Sequence, residues 1–178
     1  MIREAPRGLS AFYCPVVVEL ELTRSRDDRR LYELPGVGSL RLEGWLSRAA
    51  SAEAAGDRWR FRRDGWWQPS VSAGDASGAV VGSFAPRAIR RGGELRWQGA
   101  ELALRPASTL RERYALISAG RELVLLQGKT WGKRPVRVAI TDGTAVEAGL
   151  LLFAAFVVRG LAEDAGSTAA AGSVAAVG

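Results

Sequence analysis

The stretch Thr144-Ala145-Val146-Glu147-Ala148-Gly149-Leu150-Leu151-Leu152-Phe153-Ala154-Ala155-Phe156-Val157-Val158-Arg159-Gly160-Leu161-Ala162-Glu163-Asp164 decides the fold. Its first four residues match a capping box, in which a Thr caps the first helical turn and a Glu three positions on reaches back. Residues 148–158 then carry no polar side chain. At about 100° per residue, Leu150, Leu151, Leu152 and Phe153 already point around the whole circumference, so a helix over 145–162 has no solvated face. Such a helix is either enclosed by protein or inserted in lipid. A spanning helix needs about 20 apolar residues. Arg159 breaks the run well short of that, so the pattern predicts a core helix and no transmembrane span.

Energy and length agree with enclosure. Leu150, Leu151, Leu152, Phe153, Phe156, Val157, Val158 and Leu161 are each worth roughly 1.5–3 kcal/mol on full burial, on the order of 12–24 kcal/mol together as an upper bound. The net stability of a domain is only about 5–15 kcal/mol, so a helix with that share is the core itself. Ala145 to Ala162 spans about 27 Å as a helix. Strands of 6–8 residues span about 20–27 Å, and a closed sheet of such strands would cover the helix end to end.

Outward from the helix, short alternating runs recur between turn signals. Val16, Val18, Leu20 and Leu22 share one strand face, opposite Val17, Glu19 and Glu21. Leu40, Leu42 and Leu46 alternate with Arg41, Glu43 and Trp45, and Arg58-Trp59-Arg60-Phe61-Arg62 alternates strictly before Asp64-Gly65 turns the chain. Trp66–Val71, Ala79–Phe84, Leu95–Trp97, Glu101–Arg105, Tyr114–Ser118, Glu122–Gln127 and Val136–Ile140 complete the series, with turns at Gln98-Gly99 and Ala119-Gly120. Runs of this spacing predict an antiparallel sandwich or barrel. The Ala-rich segment 47–57 is open between a short helix and a surface loop. The tail from Gly166 to Gly178 is uncharged and rich in Gly, Ser and Ala, and is expected to be disordered.

Composition removes most chemistry. The chain of 178 residues is 47% hydrophobic and 25% charged, which is ordinary for one globular domain. It has no His, hence no imidazole base, no Ser-His-Asp triad and no His metal site. One Cys, Cys14, excludes an intrachain disulfide and a Cys-cluster zinc site. No catalytic motif, metal set or cofactor-binding motif is found, so the expectation is a non-enzymatic protein without cofactors. Residues 1–12 lack the apolar segment of a signal peptide, and the expected location is cytoplasmic, peripheral at a membrane. The formal charge is +6, and of 25 basic residues only Lys129 and Lys133 are Lys. Arginine favours bidentate contacts to phosphate and carboxylate.

Many short strands followed by one C-terminal helix that is apolar all round is an uncommon order. It resembles the tubby C-terminal-like superfamily, which includes tubby, LURP-one-related proteins and phospholipid scramblases. The resemblance runs from about Leu31 to Ala165. It is carried by Tyr114–Ser118, Glu122–Gln127, Val136–Ile140, the helix Leu150–Val158, and the hairpin Gly93 to Leu102. It implies a mainly β fold: a closed antiparallel barrel of about 12 strands wrapped around a hydrophobic C-terminal helix, occupying 1–165 as a single domain. It further implies a role at membranes through phosphoinositide-like lipids. It carries over no individual ligand-binding residue.

Three groups of cations are candidates for binding anionic lipid headgroups. Arg58, Arg60 and Arg62 form an outward stripe on one strand; an ordinary solvated face is the alternative. Arg87, Arg90 and Arg91 sit in a turn beside Gly92-Gly93. Lys129, Lys133 and Arg134 belong to a loop with Trp131, a combination suited to a headgroup interface. Gly128-Lys129-Thr130 is not a phosphate-binding loop, because position 123 is Leu where that motif needs Gly. The expected partners are anionic membrane lipids. The alternative is a protein-interaction or structural domain with no lipid role. Nucleic acid is disfavoured, because the aromatics read as core rather than as a stacking platform.

Overall fold

The computed structural model describes residues 18–44, 48–65, 70–87, 92–108, 111–129, 133, 135–141 and 144–174, with side chains placed as far as residue 166. Twelve strands run in chain order: β1 (Val18–Arg24), β2 (Leu31–Leu34), β3 (Gly38–Glu43), β4 (Ala49–Ala54), β5 (Asp57–Asp64), β6 (Ser70–Asp75), β7 (Val80–Pro86), β8 (Gly93–Trp97), β9 (Ala100–Pro106), β10 (Arg113–Ser118), β11 (Arg121–Gly128) and β12 (Val136–Ile140). Each pairs antiparallel with its sequence neighbours, and β1 pairs with β12, for example Leu20 opposite Val138, which closes the barrel. Closure leaves no unpaired sheet edge.

The helix α1 (Ala148–Val174) threads this barrel. Every residue from Leu150 to Gly160 is buried. Contacts come from all sides. Phe153 meets Phe61 of β5 edge-on at 5.2 Å between ring centroids, and Trp97 of β8 at 5.5 Å. A Cβ added to Gly128 of β11 would lie 2.8 Å from the Ala162 Cβ, and one added to Gly38 of β3 would lie 3.1 Å from Leu152. At Gly128 the barrel wall approaches the helix so closely that only Gly fits without displacement, and at Gly38 the tightest contacts are with Glu53 and Ala54 of β4. Inward positions are apolar and outward ones charged: on β5, Trp59 and Phe61 are buried while Arg58, Arg60 and Arg62 are exposed. That is the reverse of the pattern of a membrane-spanning barrel. No helix among the described residues is long and apolar enough to cross a membrane.

Three local readings of the sequence are corrected. Residues 49–54 form β4, neither helix nor loop, because Ala50, Ala52 and Ala54 face the core and pair with β5; pairing on both edges overrides the helix propensity of Ala. The capping box does not form. The Glu147 carboxylate instead accepts hydrogen bonds from Trp97 Nε1 at 2.9 Å and Gln98 Nε2 at 3.0 Å, tying the start of the helix to the β8–β9 turn. The helix begins at Ala148 rather than 145, and it continues past 162 to Val174, through part of the segment expected to be disordered. Ala, abundant there, is the strongest helix former. The strand β2 is also absent from the alternating runs read in the sequence, being only 4 residues long.

The two ends of the barrel differ. At the end where the helix begins, β4–β5, β8–β9 and β10–β11 are joined by Ala55-Gly56, Gln98-Gly99 and Ala119-Gly120. Each pair has positive φ at both positions, the signature of type I′ hairpins. At the opposite end, where the helix leaves, the connections are longer: 25–30 after β1, 107–112 after β9 and 129–135 after β11. The first is called the turn end here and the second the loop end.

Candidate functional site

The Arg stripe of β5 lies on the outer wall as expected, but it is not a set of free cations. Arg58 pairs with Glu53 at 3.3 Å, Arg60 with Glu43 at 2.9 Å and Arg62 with Asp64 at 3.6 Å. The cross-strand register puts Glu53 opposite Arg58, Arg60 reaches across β4 to Glu43 of β3, and Arg62 pairs with Asp64 two residues on along β5. An open groove of about 800 Å³ runs beside the stripe, floored by Ser72 and Gly74 and bounded on the far side by Asp75 and Val80. Asp75 is the carboxylate among its lining residues, and the carboxylates that pair with Arg58, Arg60 and Arg62 lie outside that lining. Arg87 is spoken for in the same way, bonded to Glu94 at 2.9 Å. That hydrogen bond and the guanidinium charge hold the Glu94 carboxyl below its usual range. Arg90, Arg91 and Arg134 lie outside the described residues, as does Trp131.

Lys129 and Lys133 are exposed, and the closed topology places them in company the sequence order conceals. Around the loop end, the connections after β1, β11 and β9 follow one another because the strand order is β1-β12-β11-β10-β9. Backbone hydrogen bonds stitch them together. Arg24 N donates to Lys133 O at 2.8 Å, Lys129 N to Pro135 O at 2.7 Å, and Gly128 N to Glu112 O at 2.7 Å. The result is a crescent along half of the rim. Arg26, Arg29, Arg30, Arg111, Arg113, Lys129 and Lys133 are exposed on it, with Arg24 half-buried at its middle. None of these side chains takes part in an ion pair among the described residues.

The carboxylates of the crescent are mostly occupied. Asp28 accepts a hydrogen bond from the Arg30 backbone N–H and pairs with Arg41, a residue of the outer wall. The backbone bond, aided by Arg41, lowers the Asp28 carboxyl from its ordinary value. Glu112 accepts a hydrogen bond from the Tyr114 hydroxyl at 2.6 Å. Arg26, Arg29 and Arg30 are exposed to solvent, as is the carboxylate residue Asp27 between them.

On the other half of the rim, the described Arg63 and Arg159 are paired. Arg63, inward-facing and largely covered, bonds Asp164 at 2.5 Å where the helix leaves, and the buried Arg159 bonds Glu163 at 2.6 Å and lies over the Tyr32 ring. At the turn end the balance is opposite in sign: Glu33, Glu53, Asp57, Asp75, Glu101 and Glu122 stand against Arg58, Arg96 and Arg121. The helix macrodipole, about half a charge at each end and felt only over the terminal turn, is too small to require such a separation.

The sequence pointed to Lys129 and Lys133 but missed Arg24, Arg26, Arg29, Arg30, Arg111 and Arg113. The run Arg24-Ser25-Arg26-Asp27-Asp28-Arg29-Arg30 between two strands was the available signal. Among the described residues no cluster of His, Cys, Asp or Glu could hold a metal ion. No family model, curated protein or solved structure matches the chain.

Proposed function

We propose that this chain is a non-enzymatic module that docks on anionic phospholipid headgroups through the crescent, and that it is kin to the tubby-like barrels. One observation carries the reading: among the described residues, exposed cations without an ion pair are concentrated on half of one rim, with Arg105 and Arg121 outside it, whereas Arg58, Arg60, Arg62, Arg87, Arg96 and Arg137 of the wall are paired. Paired surface arginines offer an incoming phosphate little net charge. Unpaired ones spread over an open rim suit a surface rather than a small enclosed ligand. Each such cation near an anionic leaflet is worth about 1 kcal/mol, so several acting together give stable attachment. Arginine adds bidentate hydrogen bonds to phosphate. The helix-filled twelve-stranded barrel is the architecture that the resemblance implies, which supports the same reading.

Co-sedimentation of the full chain with phosphatidylcholine vesicles, with and without phosphatidylserine or a phosphoinositide, tests it. Binding is expected only with the anionic lipids, falling steeply as salt shortens the Debye length below about 8 Å. Absence of any dependence on anionic lipid would overturn the proposal and leave a protein-interaction role.

A further inference from the structure

The end of the barrel that bears the crescent is also the end from which α1 emerges. The last helix side chain seated in the wall is Ala162, against Gly128, and Asp164 is bonded at the rim by Arg63. The helix continues to Val174. The ten residues from Ala165 to Val174, at 1.5 Å each, make a post about 15 Å long standing beyond the rim. From Ala165 onward the sequence carries no charged side chain.

This post constrains how the crescent can reach a bilayer. Held outside the headgroups, it would keep the rim off the surface by more than the Debye length of about 8 Å, and the attraction of the crescent would be screened away. We infer that the protein docks end-on, with the crescent against the headgroups and the segment 165–174 of α1 entering the headgroup layer. This inference rests on the anionic-lipid reading above. An uncharged helix enters without desolvating an ion, and its backbone is bonded internally. The carboxylate-rich turn end, at the opposite pole, is repelled by the same leaflet, which turns the barrel axis toward the membrane normal. A side-on approach would instead present the paired arginines of the wall.

An environment-sensitive fluorophore reads the orientation. In a Cys14→Ser background, the dye NBD is attached through Ala170→Cys on the post, Ala76→Cys at the turn end, or Ser72→Cys on the wall. Each labelled full-length chain is mixed with phosphatidylcholine vesicles with or without phosphatidylserine, and binding is measured separately by co-sedimentation. End-on docking predicts a blue shift and quenching by lipid-borne quenchers at position 170 alone, and only with phosphatidylserine. Binding with the shift at 72, or with no shift at 170, overturns the end-on inference while the lipid reading stands. No binding of any labelled chain removes both. As a second measurement, Ala169→Asp with Ala171→Asp is expected to weaken vesicle binding roughly tenfold with an unchanged melting temperature. Unchanged binding of that variant also counts against insertion.

Discussion

The turn end and the loop end of this barrel are built from the same strands and solve the same problem of reversing the chain, yet they do so with different residues. At the turn end three hairpins use two-residue turns with positive φ, and the flanking carboxylates are in excess. At the loop end the connections are longer and cationic, and three of them are held to one another by backbone hydrogen bonds. Tight turns fix register and leave little surface to vary; longer loops held on a rigid scaffold are where binding residues collect. The contrast also separates two kinds of arginine. Those on the wall, such as Arg58, pair with a carboxylate of a neighbouring strand, whereas those on the crescent take part in no ion pair among the described residues.

The largest expected effect removes both ends together. Phe153 is fully buried between Phe61 and Trp97 at mid-barrel. Phe153→Asp buries an unpaired charge, whose cost of several kcal/mol or more exceeds what a marginally stable domain can bear. The variant is expected not to fold; a cooperative melt with native circular dichroism would contradict enclosure of the helix.

Next in size is the comparison of the two arginine groups. Arg26→Glu, Arg30→Glu and Lys133→Glu together should weaken binding to phosphatidylserine vesicles by at least about 100-fold, since each lost cation is worth about 1 kcal/mol and each added carboxylate is repelled. The matched wall variant Arg58→Glu, Arg60→Glu and Arg62→Glu should change it far less. Equal losses in co-sedimentation would erase the distinction between free and paired cations.

Smaller still is the test of the turn end. Gly120 has φ +79, and an added Cβ would meet nothing within 4 Å, so any cost of Gly120→Val is conformational rather than steric. It should lower stability by about 1–2 kcal/mol in urea unfolding without changing vesicle binding. Least of all, Arg60→Ala should shift stability by no more than about 0.5 kcal/mol, since its ion pair is exposed. A loss several times larger would mean that the wall ladder is structural.

How legible this was in the sequence depends on the range of the interaction. The apolar helix, the alternation of Trp59 and Phe61 with Arg58 and Arg60, and the turns at Gln98-Gly99 and Ala119-Gly120 are local patterns, and they announce the core and most of the strands. Residues 49–54 were hidden because Ala suits a helix locally, and its strand role is set by partners on both sides. Glu147 looked like part of a cap because its neighbours in sequence allow one; Trp97 and Gln98, some fifty positions earlier, outcompete that role. The crescent was illegible for the same reason. Arg24 and Lys133 lie far apart in sequence and meet only because β1 closes against β12. Conversely, the run of alternating arginines on β5 drew attention from its density, while the carboxylates that pair with Arg58 and Arg60 sit on strands the eye does not align.

That β1 joins β12 around a rod formed by the last residues of the chain has a bearing on how the molecule is made. During synthesis the lining of the barrel leaves the ribosome before the thing it lines, so a nascent chain through Ile140 has an apolar concavity and nothing to fill it. The seam pairs Val18 with Ile140, and contacts between strands so distant along the chain are slow to form. Translation stalled just short of the carboxyl-terminal segment would leave a greasy, unfilled sheet, and such a chain would be a natural client for a chaperone.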